Sequence, residues 1–500
     1  MPPLVNARRP RLRWTNYMSE APNAATTNQV PLAVDLDGTL IRTDMMWESL
    51  VRLLRKNPFA ALISLFVLFR GRAAFKQHVA ARVKVDPANL PYHADLIAWL
   101  KVQKASGRKL VLATASDINM AAPIAAHIGL FDDVMASDGE TNLRNAAKRD
   151  ALTKRFGERG YDYAGNSTDD LGVWPGTREA VVVNAPESLA RRAAAMTKVG
   201  QTFLNEPSHF KSFIKALRPH QWIKNLILFV PVLTAHKLED KTILPQAALA
   251  FVAFCLAASA VYLLNDLLDL DADRHHATKC NRPFASGDLP LQFGLVGAPL
   301  LLLAALGISF CLSFKFALVT ALYFVISTSY SWKLKQIALL DVLFLAGLYT
   351  LRLVAGHVAT GIPWSEWLLT FSMFIFLSLA FMKRFQEIET VREQNGHELK
   401  GRGYTAHDRK SVVTLGIISG VAAVIVLGLY VNSEQVVKLY AHPKLLLLAC
   451  PLLLTWICRV WYLTYRGDMH DDPTAFAFKD WASYLIGALT LAVMWFATGR

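Results

Sequence analysis

The sequence predicts an N-terminal α/β domain with a helical cap, followed by an all-α polytopic membrane domain of about nine transmembrane helices. Two observations carry this. Residues 30–205 mix charged and apolar residues as a soluble domain does, and they open on a short apolar strand, Pro31-Leu-Ala-Val, running into Asp35-Leu-Asp37-Gly38-Thr39. Beyond about residue 222 the chain is a succession of apolar runs, which raises the hydrophobic content of the 500 residues to 53%. Length alone would suggest about three domains. The division reads as a flexible N-terminus at 1–29, the soluble domain at 30–205 and the membrane domain at 206–500.

Composition narrows the function classes. A net charge of +14 suits nucleic acid, an anionic membrane surface or phosphorylated substrates. No long Lys/Arg run with interleaved aromatics supports nucleic acid, so that partner is excluded. Cys255, Cys280, Cys311, Cys450 and Cys458 lie in or beside apolar runs without metal-ligand spacing. They read as packed thiols and say nothing of redox compartment. The first 29 residues lack the apolar core of a signal peptide, which keeps the N-terminus cytoplasmic.

The nine candidate spans are 222–236, 243–264, 292–313, 315–332, 338–357, 366–382, 411–431, 443–463 and 481–498. Several fall short of the ~20 residues a straight span needs, and the first is the weakest. With the N-terminus inside, the cytoplasmic loops hold most of the Lys and Arg, including Arg274, Lys279, Arg282, Lys335, Lys383, Arg384 and Arg402. The opposite loops hold only Lys237, Lys241, Lys315, Lys438 and Lys444. That asymmetry follows the positive-inside rule.

At the cytoplasmic end of the second run stands Asn265-Asp266-Leu-Leu-Asp269-Leu-Asp271-Ala-Asp273. At about 100° per residue, Asp269 and Asp273 fall about 60° and 20° from Asp266, so one helix face carries three carboxylates. Asp271 points about 140° away and reads as a solvated bystander. Three anions at a membrane mouth repel one another unless a cation joins them. Mg²⁺ suits them, because it takes a few carboxylates and completes its octahedron with phosphate oxygens. The bland alternative, a solvated loop capping a helix, fits poorly with the cost of acidic groups at membrane depth. Further polar and basic clusters share the cytoplasmic face: Arg218, Lys224 and Asn225 enter the first span, and Lys279 and Arg282 follow the acidic run. Lys335 and Asp341 flank the fifth span, Arg352 lies inside it, and Lys383-Arg384 closes the sixth. Cations facing carboxylate-bound Mg²⁺ form an electrostatic clamp for pyrophosphate. Lys333, Arg409 and Lys410 need no role beyond topology.

Asn265-Asp266-x-x-Asp269-x-x-x-Asp273, followed by Lys279 and Arg282-Pro283, resembles the first acidic motif of the UbiA superfamily of intramembrane prenyltransferases. The resemblance covers about 210–500. It is nearest the branch that moves phosphoribose from phosphoribosyl pyrophosphate to a polyprenyl phosphate, through Arg218-Pro-x-Gln221-Trp-x-Lys224-Asn225, Tyr330-Ser-x-x-Leu-Lys335, Asp341, Leu351-Arg352 and Lys383-Arg384. The resemblance implies a Mg²⁺-dependent transferase of the cell inner membrane, with the soluble domain cytoplasmic, and leaves room for a homo-oligomer. Quinone-forming prenyltransferases carry a second pair, D-x-x-x-D, whereas Asp341 is followed four residues on by Leu345. The late run Met469-His-Asp471-Asp472-Pro473 also resembles this branch, without an assigned chemistry.

In the soluble half, Asp35-x-Asp37-Gly38-Thr39 looks like motif I of the haloacid dehalogenase (HAD) superfamily. As a phosphatase, Asp35 would attack phosphorus and Asp37 would protonate the leaving oxygen. Three segments follow in order. Lys109-Leu-Val-Leu-Ala-Thr114 would end on a phosphate-binding hydroxyl, Lys148 would offset charge, and Gly165-Asn166-Ser167-x-x-Asp170 resembles the acidic fourth motif. Asp35, Asp37, Asn166 and Asp170 would hold Mg²⁺. Asn166 stands where an Asp is usual, which lowers the expected metal affinity and leaves a degenerate, structural role open. The apolar stretch Phe59–Phe69 reads as a cap helix, either buried or dipping into the bilayer interface.

A short connector at about 195–212, with Gly200, Pro207 and Ser208, tethers the two sites at high effective concentration. The fusion suggests a relay, in which the membrane half makes polyprenyl-phosphoryl phosphoribose and the soluble half removes its 5-phosphate. Two competing readings are a prenyltransferase acting on an aromatic quinone or haem precursor, and a transporter or lipid-binding scaffold with a vestigial phosphatase.

Overall fold

The computed structural model describes residues 30–67, 69, 75, 78–79, 82–138, 141–203, 208–393, 399, 402–469, 472–477 and 479–499. The N-terminus expected to be flexible, 1–29, lies outside the described residues, as do His470 and Asp471.

The soluble half is built on six parallel strands: β1 (Leu32–Val34), β2 (Leu110–Asp117), β3 (Asp133–Ser137), β4 (Asp162–Gly165), β5 (Glu179–Val183) and β6 (Lys198–Phe203), in the order β3-β2-β1-β4-β5-β6. Both faces are covered, so β1 is uniformly apolar rather than alternating. Leu32 and Val34 face one core with Leu110, Leu112 and Leu96, while Ala33 faces a second with Tyr161, Tyr163 and Trp174. Strand order reverses at β1, and the crevice at the carboxyl ends of β1 and β4 is where such sheets bind ligands. Asp35 follows β1 directly and Gly165 closes β4. The connector expected at 195–212 is partly a strand, because β6 occupies Lys198–Phe203 and completes the sheet edge against β5.

Between β1 and β2 lies the cap. Helix α1 (Met45–Lys56) starts at Asp44, whose carboxylate accepts from Met46 N at 2.8 Å, and ends at Asn57-Pro58. Helix α2 (Pro58–Val67) follows at once.

The membrane half has seven described helices long and apolar enough to span: Ile243–Leu268, Leu291–Leu312, Phe314–Trp332, Leu340–Thr360, Glu366–Glu393, Ala406–Val431 and Pro443–Arg466. Two of the nine expected spans differ. The segment expected at 222–236 is a tight 3₁₀ stretch, Pro219–Phe229, running into Val230–Thr234. Pro219 and Pro231 remove amide donors there, and the segment buries Asn225, Leu228, Pro231 and Val232 against the protein while leaving Leu226 and Leu233 exposed. Gly356 makes the contact close: a Cβ there would sit 2.3 Å from the Leu228 carbonyl oxygen. The last expected span is a helix of only 17 residues, Trp481–Ala497. Ile243–Leu268 is the most enclosed helix, and Ala250, Ala253, Ala257, Ala258 and Ala260 let its neighbours approach closely.

The halves are locked by charge. Glu48 of α1 is fully buried and accepts from Arg274 at 2.7 and 3.1 Å and from Arg52. Arg52 also donates to Asp271 at 2.6 Å. Asp271 is therefore not the solvated bystander its helical angle implied, because a helix from the other half covers it. Arg42 donates to Asp288 at 2.8 Å, and Gly287, at φ +77°, lets the chain pass where a Cβ would meet Arg42 Cβ at 2.7 Å. Val51 joins Leu263, Leu267 and Leu270 in one apolar cluster across the same junction.

Candidate functional site

The acidic run sits where the Ile243–Leu268 helix ends. Asp269 caps it with φ −93° and ψ 10°, and a separate five-residue helix, Leu270–Arg274, follows, so Asp266 and Asp273 do not lie on one continuous helix as their spacing implied. Each carboxylate is met by a cation. Asp266 accepts from Arg218 and, at 3.1 Å, from Arg282. Asp273 accepts from Arg282 at 2.6 Å, and Asp269 from Lys335 at 2.9 and 3.2 Å. Arg218 also lies 5.1 Å over the Tyr262 ring. Burial pushes the Asp273 carboxyl above the usual range against the pull of Arg282, and burial pushes the Lys279 ammonium down.

Among the described residues no three His, Cys, Asp or Glu side chains converge as a metal cluster. Two buried oxygens nevertheless lack a partner, Asn265 Oδ1 and Asp266 Oδ2. Orphaned buried acceptors are costly. An all-oxygen donor set of this kind fits Mg²⁺ once Arg218, Arg282 and Lys335 transfer their bonds to an anionic ligand.

A second group lies deeper. Arg352 is buried, with Nε on Asn225 Oδ1 at 2.8 Å and Nη2 on Tyr323 at 3.0 Å, and its guanidinium lies 4.9 and 5.3 Å over the rings of Tyr323 and Tyr349. Asp472 holds Lys383 at 2.8 Å and Lys224 at 3.8 Å. That pairing gives the late Asp-Pro run a place its sequence did not supply.

Asp341 and Arg384 stand apart. Both are fully buried and form an ion pair at 2.5 Å. Tyr404 donates to Asp341 at 2.6 Å, and Arg384 also pairs with Glu387. Arg402 joins them, 2.9 Å from the Tyr330 hydroxyl and 3.8 Å from Glu387. Glu387, Tyr404, Tyr323 and Tyr262 carried no spacing signal in the sequence. Arg402 was visible only as one more positive loop residue.

In the soluble half, Lys148 donates to Asp35 and to Tyr163, each at 2.8 Å, and Tyr163 donates to Asp170 at 2.8 Å. Asp170 accepts further from Asn166 N, Ser167 N and Ser167 Oγ. Asp37 accepts from Met45 N at 2.8 Å and Ser116 Oγ at 2.6 Å. Thr114 is fully buried, with Oγ1 accepting from Ser116 N at 3.0 Å. Burial pushes Asp35 up to about 7; Lys148 opposes this, while Asp170 and Asp37 add to it. Anionic oxygens outnumber cations, and Asn166 Oδ1 points toward the same loop, 3.3 Å from Thr39 Oγ1. The donor set fits a divalent cation. Gly38, at φ +76°, is required: a Cβ would lie 2.1 Å from Asn166 Nδ2.

Asp35, Asp37, Lys148, Asn166 and Asp170 line a cavity of about 700 Å³ that is also lined from the membrane half by Gly287, Pro290, Leu291 and Gln292, whereas Thr114, expected to bind phosphate, is fully buried and not part of its lining. The loop from Arg282 to Gln292 thus touches the acidic motif at one end and the soluble-domain cavity at the other.

An N-terminal parallel-sheet domain fused to a polytopic helical domain with an acidic mouth defines the class. The UbiA prenyltransferase family model matches residues 227–484, and the chain belongs to that family as a multi-pass membrane protein. It is 36% identical to the uncharacterised protein y4nM of Sinorhizobium fredii over 466 residues, 92% of this chain and 90% of that one. It is also 36% identical to the decaprenyl-phosphate phosphoribosyltransferase of Mycolicibacterium smegmatis over 250 residues, 49% of this chain and 77% of that one. The N-terminal half is similar to a HAD family hydrolase structure from Salmonella enterica serovar Typhi, at 14% identity and a TM-score of 0.27, covering 35% of this chain and 68% of that one.

Proposed function

We propose that the membrane half transfers phosphoribose from phosphoribosyl pyrophosphate to a polyprenyl phosphate, and that the soluble half removes the 5-phosphate of the product. The observation that carries the donor assignment is Asp341. A prenyl diphosphate site with two metal clusters needs a second free acidic pair. Here that carboxylate is fully buried under Arg384 and Tyr404, and Leu345 fills the partner position. One acidic cluster remains, ringed by Arg218, Arg282 and Lys335, which suits a single pyrophosphate.

Asp266, Asp269 and Asp273 would hold Mg²⁺, which neutralises pyrophosphate when bound and so makes it a better leaving group. Arg218, Arg282 and Lys335 already point at those carboxylates and would turn to the pyrophosphate oxygens, stabilising charge as the bond to the ribosyl carbon breaks. Lys224, Arg352 and Lys383 supply positive charge for the lipid phosphate. That nucleophile is anionic at neutral pH and needs no strong base. In the N-terminal cavity Asp35 would attack phosphorus, Lys148 would hold the phosphate's charge, Asp37 would protonate the sugar oxygen as its bond to phosphorus breaks, and water would then hydrolyse the aspartyl phosphate to free phosphate and regenerate Asp35.

The shared wall at Gly287–Gln292 supports the relay, because it sets the soluble cavity beside the transferase's own loop. The full chain carrying Asp35→Asn, given phosphoribosyl pyrophosphate and polyprenyl phosphate, should accumulate the phosphorylated sugar lipid by mass spectrometry. The unaltered chain should yield the dephosphorylated one. Equal phosphate release from both chains would remove the relay.

A further inference from the structure

Helix α2 has an apolar face that the protein itself leaves uncovered. Phe59, Leu62, Ile63 and Phe66 are 76, 55, 59 and 71% exposed. Their spacing, i, i+3, i+4 and i+7, puts all four on one stripe. The opposite side is the packed one: Ala61 and Ser64 are buried, and Ala61 clusters with Leu50, Leu53, Phe75 and Val79. The helix contains no charged residue, whereas Arg55 and Lys56 just before it are exposed. An exposed apolar stripe on a folded protein marks an interaction site.

The height of the stripe identifies its partner. The cap cluster beneath α2 packs against Leu295 in the first turns of the Leu291–Leu312 span. From that level outward the same span exposes Phe293, Val296, Leu300 and Leu303, the row a bilayer would cover. Beside it, helix His209–Leu217 packs Phe213 on Phe293 and leaves Phe210 exposed, together with Lys211 and Lys215. Aromatics and lysines side by side at one depth are the composition of a membrane interface. At ten residues α2 is far too short to cross the ~30 Å hydrocarbon layer.

We propose that α2 lies in the headgroup layer of the bilayer with Phe59, Leu62, Ile63 and Phe66 in the lipid, on the side of the membrane that carries the acidic motif. The occupant of this face is phospholipid, anionic lipid being favoured by Arg55 and Lys56. A second copy of the chain is the alternative, but the stripe continues the span's own exposed row and needs no separate partner. The hydrolase cap is then held at the surface on two sides, by α2 in lipid and by α1 on the Ile243–Leu268 and Leu291–Leu312 helices.

The test is photo-crosslinking of the full chain in nanodiscs of phosphatidylcholine and phosphatidylglycerol, using a phospholipid with a diazirine near its glycerol. Peptides covering 59–66 and 293–303 should both carry lipid adducts by mass spectrometry. The double variant Leu62→Glu, Phe66→Glu should lose the first set and keep the second, which also reports that it has folded and inserted. Adducts on 293–303 with none on 59–66 of the unaltered chain would overturn the proposal and leave that face to a second copy or to water.

Discussion

Single residues separate the two proposed activities. Gly38 holds φ +76° with Asn166 packed where a Cβ would stand. Gly38→Ala should therefore abolish phosphate release from the sugar lipid, because Asn166 and the Asp35 loop must move apart. Transfer of phosphoribose should remain near the unaltered rate; assaying both steps on one preparation checks this. Asp341 makes a different prediction. Asp341→Asn removes one of the two carboxylates that pair with the fully buried Arg384 and leaves only Glu387, and losing a partner of a buried pair costs up to about 3–5 kcal/mol. The melting temperature of the detergent-solubilised chain should fall by several degrees. Asp266→Ala, by contrast, should remove transfer by several orders of magnitude with little change in melting temperature, since its loss frees two arginines that are already partly exposed.

At the level of elements, α1 is the link between the halves. Glu48 is buried between Arg52 and Arg274, and although burial raises its pKa, the arginines win and hold it below the usual value of 4.5. A depressed carboxylate contributes stability that is complete above its unfolded pKa and is lost as pH falls through the folded one. The junction should hold unchanged from neutral pH down to about 4.5 and weaken only below it. Limited proteolysis between 204 and 208 across that range measures this. Glu48→Gln should expose the junction already at pH 7 and flatten the dependence. Elements also show what sequence could give. The acidic run was legible as a set of residues but not in its geometry: the helix ends at Leu268, and Asp266, Asp269 and Asp273 each meet a cation instead of converging on one helix face. Motif order likewise located Asp35, Lys148 and Asp170, which the fold joins through Tyr163. The role of Asp271 was not legible, because its partner Arg52 lies in a different domain, on a helix whose docking no local pattern records. The broken 219–234 segment was misjudged for a related reason. Its composition is apolar enough for a span, and only Pro219, Pro231 and the bare backbone of Gly356 explain why it winds tightly instead.

On the scale of the whole molecule, one loop, Arg282–Gln292, reaches the acidic run through Arg282 and the N-terminal cavity through Gly287 and Gln292, so the two candidate sites share a wall rather than a mere tether. In the proposed relay this arrangement would give the fusion a physical purpose: a lipid product formed at the acidic mouth would meet the N-terminal cavity beside the surface it never leaves. Both proposed steps require the donor to be a sugar pyrophosphate. Purified full-length chain in lipid, offered labelled phosphoribosyl pyrophosphate and labelled prenyl diphosphate together with polyprenyl phosphate and an aromatic acceptor, tests that directly. A phosphoribosylated or ribosylated polyprenyl lipid, lost with Asp266→Ala, is the predicted result; a prenylated aromatic with no sugar lipid would contradict it.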